Sequence, residues 1–415
     1  MKILFVHQNF PAQYRHVAAA LARTPGWEVV ALGDTLNIKQ RPAIPGVRLA
    51  GYGTPATASP HTHHYVKSLE SAVRRGQMVV RACLELKKRG FVPNAIYAHP
   101  GWGEALFLKE VFPDARLTLY CEFYYRATGG DVGFDPEFPA TLDDLCRVRI
   151  KNAASLLSLE AADSGISPTR WQRDAFPRFF RERITHVHEG VDTELLKPEP
   201  KAEVVLAGKH VTLTPRDEVI TYVARNLEPY RGFHVFMRAL PEILRRRPNA
   251  RVLIVGGDGV SYGAQLPKGE TYKKQLLAEV AKDLDMNRVH FLGKVPYGTL
   301  VRIYQISSAH VYLTYPFVLS WSVLEAMSAG CPVVASRTAP VEEVISNGNN
   351  GFLTDFFDKD ALVARVEEVL ARGKEISKVR ERARRTVVEN YDLRRVCLPR
   401  HLKLLGVKPP KAARA

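Results

Sequence analysis

Arg225 and Arg231 stand six residues apart in "ARNLEPYRG", with Gly232 directly after the second. Two guanidiniums beside a helix start can grip a diphosphate through paired N–H donors. They would also stabilise charge growing on a leaving nucleoside diphosphate. The bland alternative is a pair of solvated arginines. Further along, "PFVLSWSVLEAMSAG" (residues 316–330) places Ser320, Trp321 and Ser322 on the turn before a helical period that carries one acid, Glu325. Ser322 and Glu325 fit the Ser-x-x-Glu capping pattern, in which hydroxyl and carboxylate satisfy orphan helix N–H groups. The N–H groups left over would suit an anion. "IVGGDG" adds Gly256 and Gly257 at a strand end, where the missing side chains allow a ligand close to the backbone.

The first half of the chain has its own candidates. His99 follows "AIYA", and Gly101 and Gly103 come next, ahead of a helical segment. Backbone N–H groups freed there suit an anion or a sugar hydroxyl. Glu122 comes directly after "RLTLYC" and is followed by Tyr124, Tyr125 and Arg126. Aromatic rings beside an acid suit carbohydrate, because the apolar sugar face stacks while hydroxyls meet the carboxylate. His7, Gln8, Asn9 and Gln13 follow the first apolar run, with Pro11 early in the next helix. No G-x-G-x-x-G accompanies them, so the dinucleotide fingerprint is absent. A structural histidine, an ordinary aromatic loop and a solvated turn are the competing explanations.

These residues share a position: each follows a β-branched run. "KILFV", "EVVAL", "AIYAH" and "RLTLYC" read as strands, separated by the amphipathic segments "AQYRHVAAALAR", "YVKSLESAVRRGQMVVRACLELKKRG" and "GEALFLKEVF". A second series, "EVITYVA", "RVLIVGG", "RVHFLGK", "HVYLTY" and "CPVVAS", begins after residue 215 and alternates with helical segments. Alternation of this kind predicts parallel sheets covered by helices on both faces. The fold class is α/β, with two Rossmann-like domains facing across a cleft. Ligands in such sheets bind at the carboxyl ends of strands. The expected division is a domain over 1–190, a linker over 191–217, a second domain over 218–373, and C-terminal helices with a basic tail over 374–415, the helices returning to the first domain.

At 415 residues the chain is too long for one ordinary core. Its hydrophobic content of 46% and charged content of 25% are those of a soluble globular protein. No apolar run reaches a membrane span or a signal segment. Five scattered cysteines without C-x-x-C suggest neither a disulfide framework nor zinc, which fits a reducing cytoplasm. The net charge of +16 is uneven: +6 over residues 1–190, zero over 191–371 and +10 over 372–415. The basic segment lacks interleaved aromatics, so nucleic acid is not indicated. An anionic membrane surface is, with "RRGQMVVRACLELKKRG" as an interfacial helix; the alternative is a core-packed helix with solvated lysines.

Together these motifs resemble glycosyltransferase family 4, the retaining transferases of the GT-B fold, over nearly the whole chain. "VHEGVD" is similar to the family's link into the second domain, with Glu189 at the usual Asn. "ARNLEPYRG" is similar to the segment that carries an Arg and a Lys on the donor diphosphate; Arg225 matches the Arg and Arg231 replaces the Lys. "FLGKVP" and "LEAMSAGCPVVAS" resemble the nucleotide half. The family's Glu-x7-Glu motif places its second Glu at Glu325, which the resemblance assigns to ribose. Its first Glu, which meets the donor sugar, falls at Phe317, and the family's loop Gly falls at Ser320. The family's active-site His falls at His99, with Glu122 at a similar strand end.

The resemblance implies a retaining glycosyltransferase, a hexosyltransferase of polysaccharide, glycolipid or glycoconjugate biosynthesis. It would take a sugar from a nucleotide diphosphate donor, a UDP-sugar ahead of a GDP-sugar, with no cofactor and no metal. Arg225 and Arg231 would hold the diphosphate. Ser320, Trp321, Ser322, Phe317, Gly256 and Gly257 would surround the donor, and an acceptor, lipid-linked on the membrane reading, would lie near His99 and Glu122. The protein would be cytoplasmic or peripheral at the inner membrane surface. The rival readings are an epimerase of the same fold and a non-catalytic nucleotide-sugar binder.

Overall fold

The computed structural model describes residues 1–206, 211–373 and 375–407. It divides into two compact units, residues 1–189 with 394–407, and residues 190–393. Residues 207–210 of the expected linker, Lys374 and residues 408–415 of the basic tail lie outside the described residues.

Among the described residues, the first unit is built on seven parallel strands: β1 Lys2–Val6, β2 Glu28–Asp34, β3 Val47–Tyr52, β4 Ala95–Ala98, β5 Arg116–Tyr120, β6 Ser164–Ser167 and β7 Ile184–His186. Their order is β3-β2-β1-β4-β5-β6-β7. Order reverses between β1 and β4, so the carboxyl ends of β1, β4 and β5 lie side by side there. Ile3, Leu4, Phe5 and Val6 are all buried because helices cover both faces. The long helix Lys67–Lys88 buries Ala72, Gly76, Val79, Cys83 and Leu86. Its apolar stripe is thus spent on the core with Leu4, Ile96 and Leu117, leaving Val73 and Leu84 as its exposed apolar residues. Among the described residues, no helix is long and apolar enough to cross a membrane.

The second unit has the hairpin β8 Val204–Leu206 and β9 Val211–Leu213, then β10 Val219–Asn226, β11 Arg251–Gly257, β12 Val289–Gly293, β13 Ala309–Tyr312, β14 Val333–Ser336 and β15 Phe352–Thr354. The six main strands are parallel in the order β12-β11-β10-β13-β14-β15. Here the switch point lies between β10 and β13, which carry Arg225 and the approach to Phe317.

Two boundary expectations are corrected. The 191–217 segment is not a free linker. Val191 bridges to Asp392, and Val204, Leu206 and Leu213 pack with Val219 and Leu253. The helix Glu375–Asn390 does not return to the first unit. Its Ala383 and Val387 pack with Leu324 and Met327, and the Arg384 guanidinium donates to the carbonyls of Thr193, Leu196 and Ser328. The helix Leu398–Leu404 does return, seating Leu402 among Ile3, Phe5 and Tyr14.

One glycine is fixed by its surroundings. Gly232 has φ +66°, and a Cβ there would sit 2.3 Å from Leu313 Cβ. Gly232→Ala should therefore destabilise the second unit by about 2–4 kcal/mol, read from a denaturant midpoint.

Candidate active site

In the second unit the site grows from the end of β10. The strand releases Arg225 at its carboxyl end, and a 3-10 turn, Pro229–Arg231, carries Arg231 inward before the helix Phe233–Arg246. The two arginines therefore differ in kind. Arg225 is exposed, and no side-chain hydrogen bond or ion pair holds it among the described residues. Arg231 is only 8% exposed. Its Nη1 donates to Thr314 Oγ1 (2.8 Å) and to the Val318 carbonyl (3.0 Å), and reaches Tyr312 Oη at 3.4 Å. Burial opposes its charge, but the phenols of Tyr312, Tyr262 and Tyr222 more than offset this, and its pKa lies above the ordinary arginine value. A buried cation so fixed is preorganised for an anion.

The same contacts tie Arg231 to the 316–330 stretch. Tyr312 Oη also accepts from the Ser320 N–H at 2.9 Å. Ser320, not Ser322, caps the helix Trp321–Ser328, accepting from the Ser322 N–H at 3.3 Å. The Ser322–Glu325 capping box does not form, because the competing cap two residues upstream moves Glu325 out of reach of the helix start. The N–H groups of Ser320 and Ser322, expected for a diphosphate, already have these partners. Trp321 is exposed at the first helical position.

Glu325 is released from capping. It is partly buried, and Tyr297 Oη donates to its Oε1 at 2.8 Å. Burial raises its pKa, opposed by the Tyr297 hydrogen bond. A carboxyl raised on folding costs nothing below the ordinary carboxylate range and progressively destabilises as pH climbs through its raised value. Glu325→Gln should thus gain stability relative to wild type as pH rises above the ordinary carboxylate range, measured as paired urea midpoints.

Phe317 is buried among aromatic residues. Its ring lies 4.7 Å from Tyr262 and 5.5 Å from Tyr230, and Arg231 stands 5.9 Å from its centre. Tyr315 continues the cluster at 4.7 Å from Tyr230. Gly256 and Gly257 do not offer open backbone: a Cβ on Gly256 would strike Leu227 at 2.7 Å, and one on Gly257 would strike Lys294 at 2.7 Å. What approaches these glycines is the protein's own side chains.

In the first unit, the switch point brings together His7 from β1, His99 from β4 and Glu122 from β5. His99 is 5% exposed. Its Nδ1 accepts from the Gly101 N–H (3.0 Å), which makes Nε2 the protonated nitrogen, donating to Glu122 Oε2 at 3.1 Å. Glu122 Oε1 accepts from Gln13 Nε2 at 2.9 Å. Trp102 stacks on His99 at 4.2 Å and stays 37% exposed. His7 lies 5.5 Å from His99, and burial pushes its pKa well down, so it is neutral. The result is a half-open carboxylate held by a histidine and an amide, next to an exposed indole. Such a set can accept a hydroxyl proton and stack a sugar or polyol.

The expected sugar-binding role for Tyr124, Tyr125 and Arg126 is not what their contacts favour. Tyr124 packs on Phe176 (5.6 Å), Lys151 lies 3.7 Å over the Tyr125 ring, and Arg126 donates to the Asp174 and Ala175 carbonyls. Sequence reasoning also passed over Trp102, Glu228, Tyr262 and Tyr297. The "GWG" in the His99 turn was a usable signal for Trp102. A lone glutamate and scattered tyrosines gave none.

Residues 25–196 match the family described as "Glycosyl transferase family 4 group", and residues 208–386 match "Glycosyl transferases group 1". Curated relatives include the D-inositol 3-phosphate glycosyltransferase of Corynebacterium efficiens, 26% identical over 52% of this chain and 48% of that protein. Another is the GDP-mannose-dependent alpha-(1-6)-phosphatidylinositol monomannoside mannosyltransferase of Mycolicibacterium smegmatis, 26% identical over 54% of this chain and 58% of that protein. The chain spans about half the length of the curated relatives it matches. Among solved structures, sucrose-phosphate synthase from Thermosynechococcus elongatus covers 98% of both chains with a TM-score of 0.75 at 17% identity. HepE of Anabaena, solved with UDP and glucose, has a TM-score of 0.69 at 18% identity, covering 98% of this chain and 100% of that one. Two Rossmann-like units and these neighbours give the fold as GT-B. Its two family matches, both to glycosyltransferase models, together span most of its length, and the chain resembles glycosyltransferase family 4.

Proposed function

We propose that this protein is a retaining glycosyltransferase that moves a sugar from a nucleoside diphosphate donor to a hydroxyl-bearing acceptor. The observation that carries the reading is Arg231, a buried cation bonded into the loop that leads to the helix bearing Glu325. In this reading Arg231 and Arg225 take the diphosphate, and Glu325 takes the ribose hydroxyls. Charge arriving on the departing diphosphate meets a guanidinium already in place, which lowers the barrier without reorganisation. The leaving phosphate would take the acceptor proton on the face it vacates. Glu122 and His99 would orient the acceptor hydroxyl, with Trp102 against its apolar face.

A UDP-sugar is the favoured donor, supported by HepE, whose structure holds UDP. The mannosyltransferase relative is named as GDP-mannose-dependent, so both bases belong in the test. Relatives named for an inositol phosphate and a phosphatidylinositol mannoside support a polyol acceptor, free or lipid-linked. Glu325→Gln is expected to weaken nucleoside diphosphate affinity about tenfold by titration calorimetry, because a charge-assisted pair of hydrogen bonds becomes a neutral one. An unchanged affinity would remove Glu325 from the ribose site. The aromatic surroundings of Phe317 favour one second reading, a nucleotide-sugar binder without turnover; it predicts tight binding and no product.

A further inference from the structure

The segment that joins β11 to the helix Tyr272–Val280 is tied down by a residue from elsewhere. Glu228 is 1% exposed, and its carboxylate accepts three successive N–H groups: Ser261, Tyr262 and Gly263, each at 3.0 Å. Successive amides turned to one point form an anion-binding concavity. Here the chain's own carboxylate fills it, which also satisfies a charge that would otherwise be costly to bury. Two further ties hold the loop. Asn226 Nδ2 donates to Ser261 Oγ at 2.7 Å, and Tyr272 Oη donates to the Ala264 carbonyl at 3.1 Å.

The consequence is where Tyr262 stands. Its ring is 4.7 Å from Phe317 and 5.6 Å from the Arg231 guanidinium. Glu228 is also the residue that enters the Pro229–Arg231 turn. One residue therefore links two elements: its backbone enters the turn that carries the cation, and its side chain holds the loop that carries Tyr262. An exposed loop with no such anchor would sample many positions, and Tyr262, still 36% exposed, would have no fixed relation to Phe317.

We propose that Glu228 is a positioning residue for the donor's sugar: it pins this loop so that the Tyr262 ring, backed by the buried Phe317, rather than a carboxylate, selects the sugar by its apolar face. The proposal rests on the donor reading above. A hydroxyl turned against a ring face loses its water partners, while a C–H face stacks on it. The favoured class is a nucleotide sugar that offers such a face, and the rings should act on the sugar without acting on the nucleotide.

The test measures binding of UDP, GDP, UDP-glucose and GDP-mannose by calorimetry to wild type, Glu228→Gln, Tyr262→Ala and Tyr262→Phe. Amide exchange at residues 261–263 is followed alongside. Glu228→Gln should speed exchange at these three amides by about tenfold or more, since a neutral amide offers one acceptor oxygen where the carboxylate has two. Glu228→Gln and Tyr262→Ala should each reduce the preference for nucleotide sugar over the bare nucleotide about five- to tenfold, with nucleotide affinity held within about twofold. Tyr262→Phe should keep the preference, because the ring remains. If wild type binds a nucleotide sugar and both Glu228→Gln and Tyr262→Ala keep its preference, the ring-pair proposal fails and the donor reading stands. If wild type binds none of the four, the donor reading fails and the proposal with it.

Discussion

Arg231→Ala is expected to weaken nucleoside diphosphate affinity about 100-fold, near 3 kcal/mol, and to lower transfer at least as much. The size follows from burial. An exposed arginine contributes a screened charge, whereas Arg231 is held by Thr314 and Val318 in a site where water does not compete. Arg225 supplies the contrast. It is exposed at the strand end, so Arg225→Ala should cost about tenfold in affinity with no loss of stability. Arg231→Ala also strips a donor from the Val318 carbonyl and the Thr314 hydroxyl, so a stability loss of about 2–3 kcal/mol accompanies it. Arg231→Lys separates the two effects. It keeps the charge and loses the planar fork, so affinity should fall between wild type and alanine. Calorimetry on protein shown to be folded by circular dichroism reads all three variants. An affinity for UDP or GDP unchanged in Arg231→Ala would remove the buried cation from the site.

Glu122→Ala should produce the opposite profile: transfer falls about 100- to 1000-fold while nucleotide affinity moves less than about twofold. Glu122 holds His99 Nε2 and Gln13 Nε2 at once, one on each carboxylate oxygen. Its loss frees the imidazole and removes the negative charge beside Trp102. Glu122→Gln keeps one acceptor oxygen for His99 Nε2–H and discards the charge. If positioning of His99 dominates, the glutamine variant recovers much of the rate; if the charge dominates, it behaves like alanine. Rate and affinity falling together in Glu122→Ala would contradict the assignment of this cluster to the acceptor.

The strand runs were legible because parallel strands buried on both faces must be apolar without alternation, as in "KILFV" and "CPVVAS". Strands without that composition were not. β3 keeps an exposed edge and β6 is the short polar "SGIS", and each is a strand only because of its neighbours in the sheet. The position of His99 and Glu122 after strands was readable, but their direct hydrogen bond depends on β4 and β5 pairing in register. Ser322 and Glu325 matched a capping pattern that Ser320 won by a two-residue shift, a choice made by the Tyr312 hydroxyl that fixes the Ser320 N–H. Glu228 was invisible for the same reason: its partners lie more than thirty residues on. The replacement of an acid by Phe317 was readable, whereas the two tyrosines against it, Tyr230 and Tyr262, come from two other segments of the chain.

The central claim is met most directly by one assay. Sugar-labelled UDP-glucose and GDP-mannose are each incubated with wild type or Arg231→Ala, with and without a polyol-containing cell extract, and both the label and the released nucleoside diphosphate are followed. The account predicts that with wild type and extract the label moves from one of these donors onto a new product as the diphosphate appears, and that Arg231→Ala abolishes both. Label that never leaves either donor while wild type binds it tightly, or label that is released equally without extract, would contradict a glycosyltransferase.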